Sequence, residues 1–152
     1  MSDGECGFGR GEHGRVPLVR LLHRAEIAYV AEFDRRLADT AYTSLTLAHS
    51  RGVLRHLGDG PVRASRLVDE CGVSKQAVSQ QIAQLEAAGY VAVTADPSDA
   101  RARVVTLTER GAAAQRTVHD LFAEIEADWA QRIGDDELER LRRALTDLGS
   151  CS

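Results

Sequence analysis

The chain has 152 residues, 43% of them apolar, 28% charged and 5% aromatic, with a net charge of −4. That composition fits one compact domain and excludes a chain disordered throughout. No apolar run approaches the ~20 residues of a membrane span, since stretches such as Leu18 to Leu22 are broken by charge, so no membrane partner is expected. Cys6, Cys71 and Cys151 are far apart and lack metal-ligand spacing, which points to a reducing compartment, the cytoplasm.

Charge is distributed unevenly. Residues 1–50 carry one net negative charge, residues 51–107 one net positive and residues 108–152 four net negative. Arg51, Arg55, Arg63 and Arg66 form the most basic stretch, and Lys75 is the single lysine. A charge run is by itself ordinary solvated surface.

Residues 1–16 hold five glycines within the first fourteen positions and no apolar core of a secretion signal, so they read as a flexible tail. Residues 17–152 read as a single domain. Pro17 suits a helix first turn, and Leu18, Leu22, Ala25, Tyr29, Phe33 and Leu37 recur at helical spacing. Asp39, Thr40, Thr43 and Ser44 are able to cap a second helix running through Leu47, Val53, Leu54 and Leu57, weakened in its middle by Gly52. A short third helix fits Ala64 to Cys71, stopped by Gly72, and a fourth begins with Ser74 as N-cap and sets Val78, Ile82 and Leu85 on one face.

The period then changes to two. Tyr90–Thr94 and Arg103–Leu107 read as strands of a hairpin joined by residues 95–100. Thr108 can cap a fifth helix bearing Val118, Leu121, Phe122, Ile125 and Trp129, and after Gly134 a sixth carries Leu138, Leu141, Leu145 and Leu148. The expected fold is mainly α.

Residues 64–85, ASRLVDECGVSKQAVSQQIAQL, have the layout of a helix-turn-helix. Gly72 suits a positive-φ C-cap, Val73 and Val78 would pin the two helices, and Ser74 would satisfy the amides that open the second. With Val78, Ile82 and Leu85 inward, Lys75, Gln76, Ser79 and Gln80 project outward, where a recognition helix meets bases and phosphates. Glutamine can grip adenine by two hydrogen bonds, lysine can meet guanine or phosphate, and serine can meet either. A solvated polar face would look similar. The hairpin adds Arg101 and Arg103, suited to a narrow minor groove, with Asp99 placed to brace Arg101 by an ion pair. Arg63 joins these as a candidate DNA contact.

The stretch Leu85-Glu-Ala-Ala-Gly-Tyr-Val91, then Asp96-Pro-Ser-Asp-Ala-Arg101, then Val105-Thr-Leu-Thr-Glu-Arg-Gly111 resembles the MarR family of bacterial winged helix-turn-helix transcriptional regulators. The wing pattern of that family is matched at Asp96, Pro97, Asp99, Arg101, Leu107, Thr108 and Gly111, and departed from at Ala100, often Arg, Lys or Gly. The resemblance is strong over residues 64–111 and architectural over the rest of 17–148. It implies a winged helix-turn-helix with a two-stranded β-wing and terminal dimerisation helices. The DNA-binding lobe would span about residues 43–108, and the dimerisation helices about 17–39 and 109–148. It further implies a homodimer on a pseudo-palindromic operator in double-stranded DNA, acting as a repressor released by a small-molecule effector and nucleoid-associated when bound. Apolar stripes on helices one, five and six, more than the lobe can cover, agree with a dimer.

No cofactor or metal is expected, because the five histidines offer no i, i+4 pair on one helix, and no catalytic motif is present. His119, Phe122 and Trp129 could line a ligand pocket, although such a stripe reads first as core or dimer contact. Cys71 reads first as a small buried thiol, and Cys6 and Cys151 lie in tails. The alternative to DNA reading is a winged-helix module that docks another protein. Operator, regulated genes, effector, sign of regulation and redox sensing are not encoded in these spacings.

Overall fold

The computed structural model describes residues 14–58 and 60–150; the expectations for residues 1–13, Cys6 among them, and for Cys151 lie outside the described residues. Helix α1 (Leu18–Leu37) starts with Pro17 at its N-cap, one position earlier than the first-turn placement expected, and buries only its C-terminal Phe33 and Leu37. Further on come α2 (Leu47–Arg51), a 3-10 turn (Val53–His56), β1 (Val62–Arg63), α3 (Ala64–Cys71), α4 (Lys75–Ala87), β2 (Val91–Asp96), β3 (Asp99–Leu107), α5 (Glu109–Ile133) and α6 (Asp135–Gly149).

The second helix departs from expectation in two ways. Its cap is Thr46, whose hydroxyl accepts the His49 amide at 3.2 Å, and none of the four residues expected to cap it does so. Thr40 instead bonds the Leu37 carbonyl at 2.8 Å, and Ser44 meets the Tyr90 hydroxyl at 2.8 Å. The helix also stops at Gly52 and resumes as a 3-10 turn, because the Val53 amide takes the side chain of Gln81 as its acceptor, at 3.1 Å.

Between α3 and α4, Gly72 takes φ +64° as the C-cap, a conformation that costs glycine nothing. Val78 is 1% exposed and Leu67 fully buried, so these two join the helices. Val73, expected to share that task, is 47% exposed, since the turn leaves it outside the contact face. Ser74 caps α4 by accepting the Ala77 amide at 3.1 Å.

The hairpin is longer than its apolar alternation suggested. Strands β2 and β3 pair antiparallel from Val91 opposite Leu107 to Asp96 opposite Asp99, leaving only Pro97 and Ser98 as the turn. Asp96 stabilises that turn locally, accepting both the Ser98 amide (2.9 Å) and hydroxyl (2.7 Å), an Asx turn. A third strand was not foreseen: β1 pairs with β3, Val62 opposite Val105, giving the sheet order β1-β3-β2. Two residues are too short to show a period.

One core joins these elements, with Phe33, Val53, Leu54, Leu67, Leu85, Tyr90, Val105 and Ile125 at or below 1% exposure; each such apolar side chain contributes roughly 1.5–3 kcal/mol. Thr108 caps α5 as expected, accepting the Gly111 amide at 3.0 Å. Close approach explains Gly111 itself, because a Cβ there would lie 2.0 Å from the Tyr90 carbonyl oxygen. Helix α1 is fastened to α5 by Arg36, which pairs with Glu124 at 2.9 Å and with Asp128. Tyr29 packs edge-on against Trp129 at 5.5 Å, and burial, with the nearby Glu126 charge, pushes its hydroxyl up to about 12.

Candidate nucleic-acid interface

Helix α4 stands with its N-terminal end beside the wing. A cleft of about 500 Å3 separates them, and Arg63, Lys75, Ser79, Asp99, Arg101 and Arg103 all line it. Six of the nine residues singled out in the sequence thus converge from β1, α4 and β3. Gln76 and Gln80 are exposed on α4 outside the cleft. Ser74 is exposed at the helix start, where its oxygen serves as the cap, which leaves its hydroxyl proton free to donate.

The cleft holds three cations without an ion-pair partner, one ion pair, and the Asp99 carboxylate, which was expected to brace Arg101 by an ion pair and makes none among the described residues. Lys75, Arg101 and Arg103 have no ion-pair partner among the described residues. Arg63 donates through Nε (2.8 Å) and Nη2 (2.7 Å) to Asp96, linking β1 to the tip of β2 across the intervening strand. The Ser98 amide and hydroxyl, and then Arg63, hold the Asp96 carboxyl below the usual carboxylate range. Asp99 reaches Arg101 through the backbone, accepting its amide at 3.1 Å, so this contact fixes the chain before Arg101 and leaves the guanidinium available. An exposed row of glutamine, serine and lysine beside arginines without ion-pair partners can both read base edges and neutralise phosphates.

Sequence reasoning did not single out Asp96 as the partner of Arg63, thirty-three positions away, although the Asp-Pro-Ser turn was a sufficient local signal for an Asx turn. It also assigned no role to Gln81, Gln84 or Gln115, which are hydrogen-bonded inside the fold.

Away from the cleft, His119 and Phe122 line a pocket of about 360 Å3 with Arg51, Leu54, Arg55 and Gln115. Phe122 also lines, together with Trp129 as expected, an adjoining groove of about 640 Å3 with Leu18, Leu22, Tyr29, Leu141 and Leu145, which His119 does not reach. Cys71 is half-buried, and burial together with the Glu70 charge pushes its thiol up, away from the thiolate that oxidants attack. No group of three or more His, Cys, Asp or Glu able to hold a metal occurs among the described residues, and none of their helices is long and apolar enough to cross a membrane.

Residues 44–102 match the model of the MarR family. No curated protein matches the sequence. Solved structures match over nearly the whole chain. BpsR of Bordetella bronchiseptica, whose DNA binding is regulated by 6-hydroxynicotinic acid, is 24% identical, covers 93% of this chain and 99% of its own, and superposes with a TM-score of 0.73. The MarR family protein Rv2887 of Mycobacterium tuberculosis, solved with p-aminosalicylic acid, is 28% identical, with coverages of 88% and 99% and a TM-score of 0.65. MarR of E. coli is 22% identical over 90% and 98%, with a TM-score of 0.67. The resemblance drawn from the wing therefore holds in sequence for the winged lobe and in fold for the chain. Proteins of the MarR family regulate transcription and are not enzymes.

Proposed function

Taking residues 44–102 as a MarR-like winged helix, we propose that the chain is a sequence-specific double-stranded DNA-binding transcriptional regulator, acting as a homodimer on a pseudo-palindromic operator and repressing until a small molecule releases it. The observation that carries the reading is the cleft, where α4 and the wing bring Lys75, Ser79, Arg101 and Arg103 together with no acidic partner on the three cations. In this reading Ser74, Lys75, Gln76, Ser79 and Gln80 enter the major groove and Arg101 and Arg103 reach the adjacent minor groove or its phosphates. Arg63, held by Asp96, sets the wing against β1, and Asp99 orders the backbone that presents Arg101.

The dimer reading rests on apolar surface. Leu18, Val19, Leu21, Leu22 and Ile27 of α1, Ile133 at the end of α5 and Leu141, Leu145 and Leu148 of α6 are each at least 40% exposed, and Leu18, Leu21, Leu22, Leu141 and Leu145 line one groove, the kind of exposed apolar face that marks an interaction surface. A second copy of the chain covering that face would space two recognition helices about one turn of DNA apart. Aromatic acids are the effector class suggested by the acids named with the two relatives above. A regulator of this kind works in the cytoplasm, on the nucleoid when bound.

Fluorescence anisotropy on labelled duplexes tests the assignment. Arg101→Ala weakens binding to all sequences while the dimer persists. Gln76→Ala or Gln80→Ala changes preference at particular base pairs by ~1–3 kcal/mol for each lost bidentate contact. Dimeric variants that bind every sequence as the parent does contradict these roles and favour a protein-docking module.

A further inference from the structure

The break in the second helix leaves the Val53 amide and the Leu57 carbonyl without a helical partner and the Leu54 carbonyl with only the Leu57 amide at 3.4 Å, and side chains from two other helices meet them. Val53, Leu54 and Leu57 are at most 3% exposed. The Val53 amide donates to Oε1 of Gln81 on α4 at 3.1 Å. The Leu54 and Leu57 carbonyls both accept from Nε2 of Gln115 on α5, each at 2.9 Å. Gly52 makes room for the first bond, since a Cβ there would fall 2.3 Å from Gln81 Oε1. A second strap lies one turn along. Nδ1 of the buried His49 accepts the Thr46 amide at 3.2 Å, so its proton sits on Nε2 and is donated to Oε1 of Gln84 on α4, 2.7 Å away.

We infer that Gln115 and Gln81 are positioning residues that couple α5 to the recognition helix through residues 53–57, with Gln84 tying the same helix to His49 one turn earlier. The apolar contacts around them are directionless, whereas hydrogen bonds to buried backbone groups fix rotation and depth, because leaving those groups unpaired is costly. α4 thus carries two kinds of glutamine. Gln76 and Gln80 face solvent, while Gln81 ties the same helix to the segment that α5 holds and Gln84 ties it to His49 of α2. The inference rests on the DNA reading for its consequence, a fixed spacing of recognition helices, but not for the coupling itself.

The donor and acceptor roles give a chemical test. At position 81 an acceptor is needed, so Gln81→Glu keeps the bond to the Val53 amide and Gln81→Leu loses it. At position 115 a donor is needed, so Gln115→Glu and Gln115→Leu both lose the bonds. Amide hydrogen exchange on the full chain without DNA is the first readout. Gln115→Leu, Gln115→Glu and Gln81→Leu accelerate exchange of residues 53–57 and of Lys75–Ala87 by about tenfold, the population effect of one lost net hydrogen bond, while Gln81→Glu stays near the parent. Acceleration that stops at residue 57, or glutamates that behave alike at the two positions, overturns the coupling. Should Gln115→Leu not fold, the two position-81 variants decide the matter, since neither touches α5.

The second readout is binding to duplexes whose half-sites are moved apart base pair by base pair. The parent shows a sharp optimum, and Gln81→Leu a flatter one. Binding by the parent to none of the duplexes defeats the DNA reading, with the exchange result still judging the coupling. An unchanged optimum in variants whose exchange is altered overturns the positioning role.

Discussion

The winged lobe and the helices flanking it differ in how much of their apolar surface they bury. Within the lobe, Val53, Leu54, Leu67, Val78, Leu85, Tyr90 and Val105 lie at or below 1% exposure, whereas α6 buries no residue and the N-terminal half of α1 none. All large exposed hydrophobics but Val73 lie in residues 16–27 or 133–148. A lobe whose core is closed, with the C-terminal end of α1 and the first turns of α5 sealing it, is packed to present side chains to a groove. Helices that leave theirs open are built to meet another surface, and the −4 charge of residues 108–152 keeps that end away from phosphates in the proposed arrangement.

The difference is broken most severely on the open side. Leu141→Glu places a charge on the apolar face without disturbing the lobe, and the expected outcome is a folded monomer in sedimentation. Its operator affinity falls about a hundredfold or more, the contribution of a tethered second half-site. A dimer of unchanged size contradicts the assignment of that face.

A smaller effect is expected on the closed side. Gly111→Ala forces a Cβ to within 2.0 Å of the Tyr90 carbonyl and 2.8 Å of Leu107 Cδ1, where α5 leaves the wing. Urea denaturation is expected to show a loss of about 3 kcal/mol, the upper range for overpacking. A change within ~0.5 kcal/mol, the ordinary range of surface substitutions, means that the junction yields.

The smallest effect concerns the wing alone. The Asp96 carboxyl titrates below its unfolded value, so its contribution to folding is complete above the ordinary carboxylate range and is lost as pH falls through the lower folded value. Asp96→Asn is therefore expected to lower stability modestly at neutral pH, to converge with the parent in strong acid and so to flatten the acid limb of the stability curve, as followed by thermal melts between neutral and strongly acidic pH. An acid limb identical to the parent's contradicts the pairing with Ser98 and Arg63.

Much of this was legible in the residues. Helical spacing gave α1, α3, α4, α5 and α6, and the caps at Ser74 and Thr108 and the positive φ at Gly72 followed from side-chain chemistry. The break at Gly52 was foreseen only as a weak point, because its cause is a side chain from α4, twenty-eight positions away. Gln81 and Gln115 were opaque for the same reason: a glutamine on an amphipathic helix looks solvated until a buried backbone group faces it. That Lys75, Ser79, Arg101 and Arg103 would lie close together was legible because α4 and the hairpin are adjacent in sequence, while the Arg63–Asp96 link depends on a strand of two residues.

The central claim, a dimer that reads DNA, is tested most directly by selecting from a random duplex library with the purified protein at near-physiological salt while sizing the protein alone. The account predicts a dimer and an enriched inverted repeat with half-site centres about one helical turn apart. A well-folded dimer that enriches no sequence, even at low salt where phosphate contacts are strongest, contradicts it.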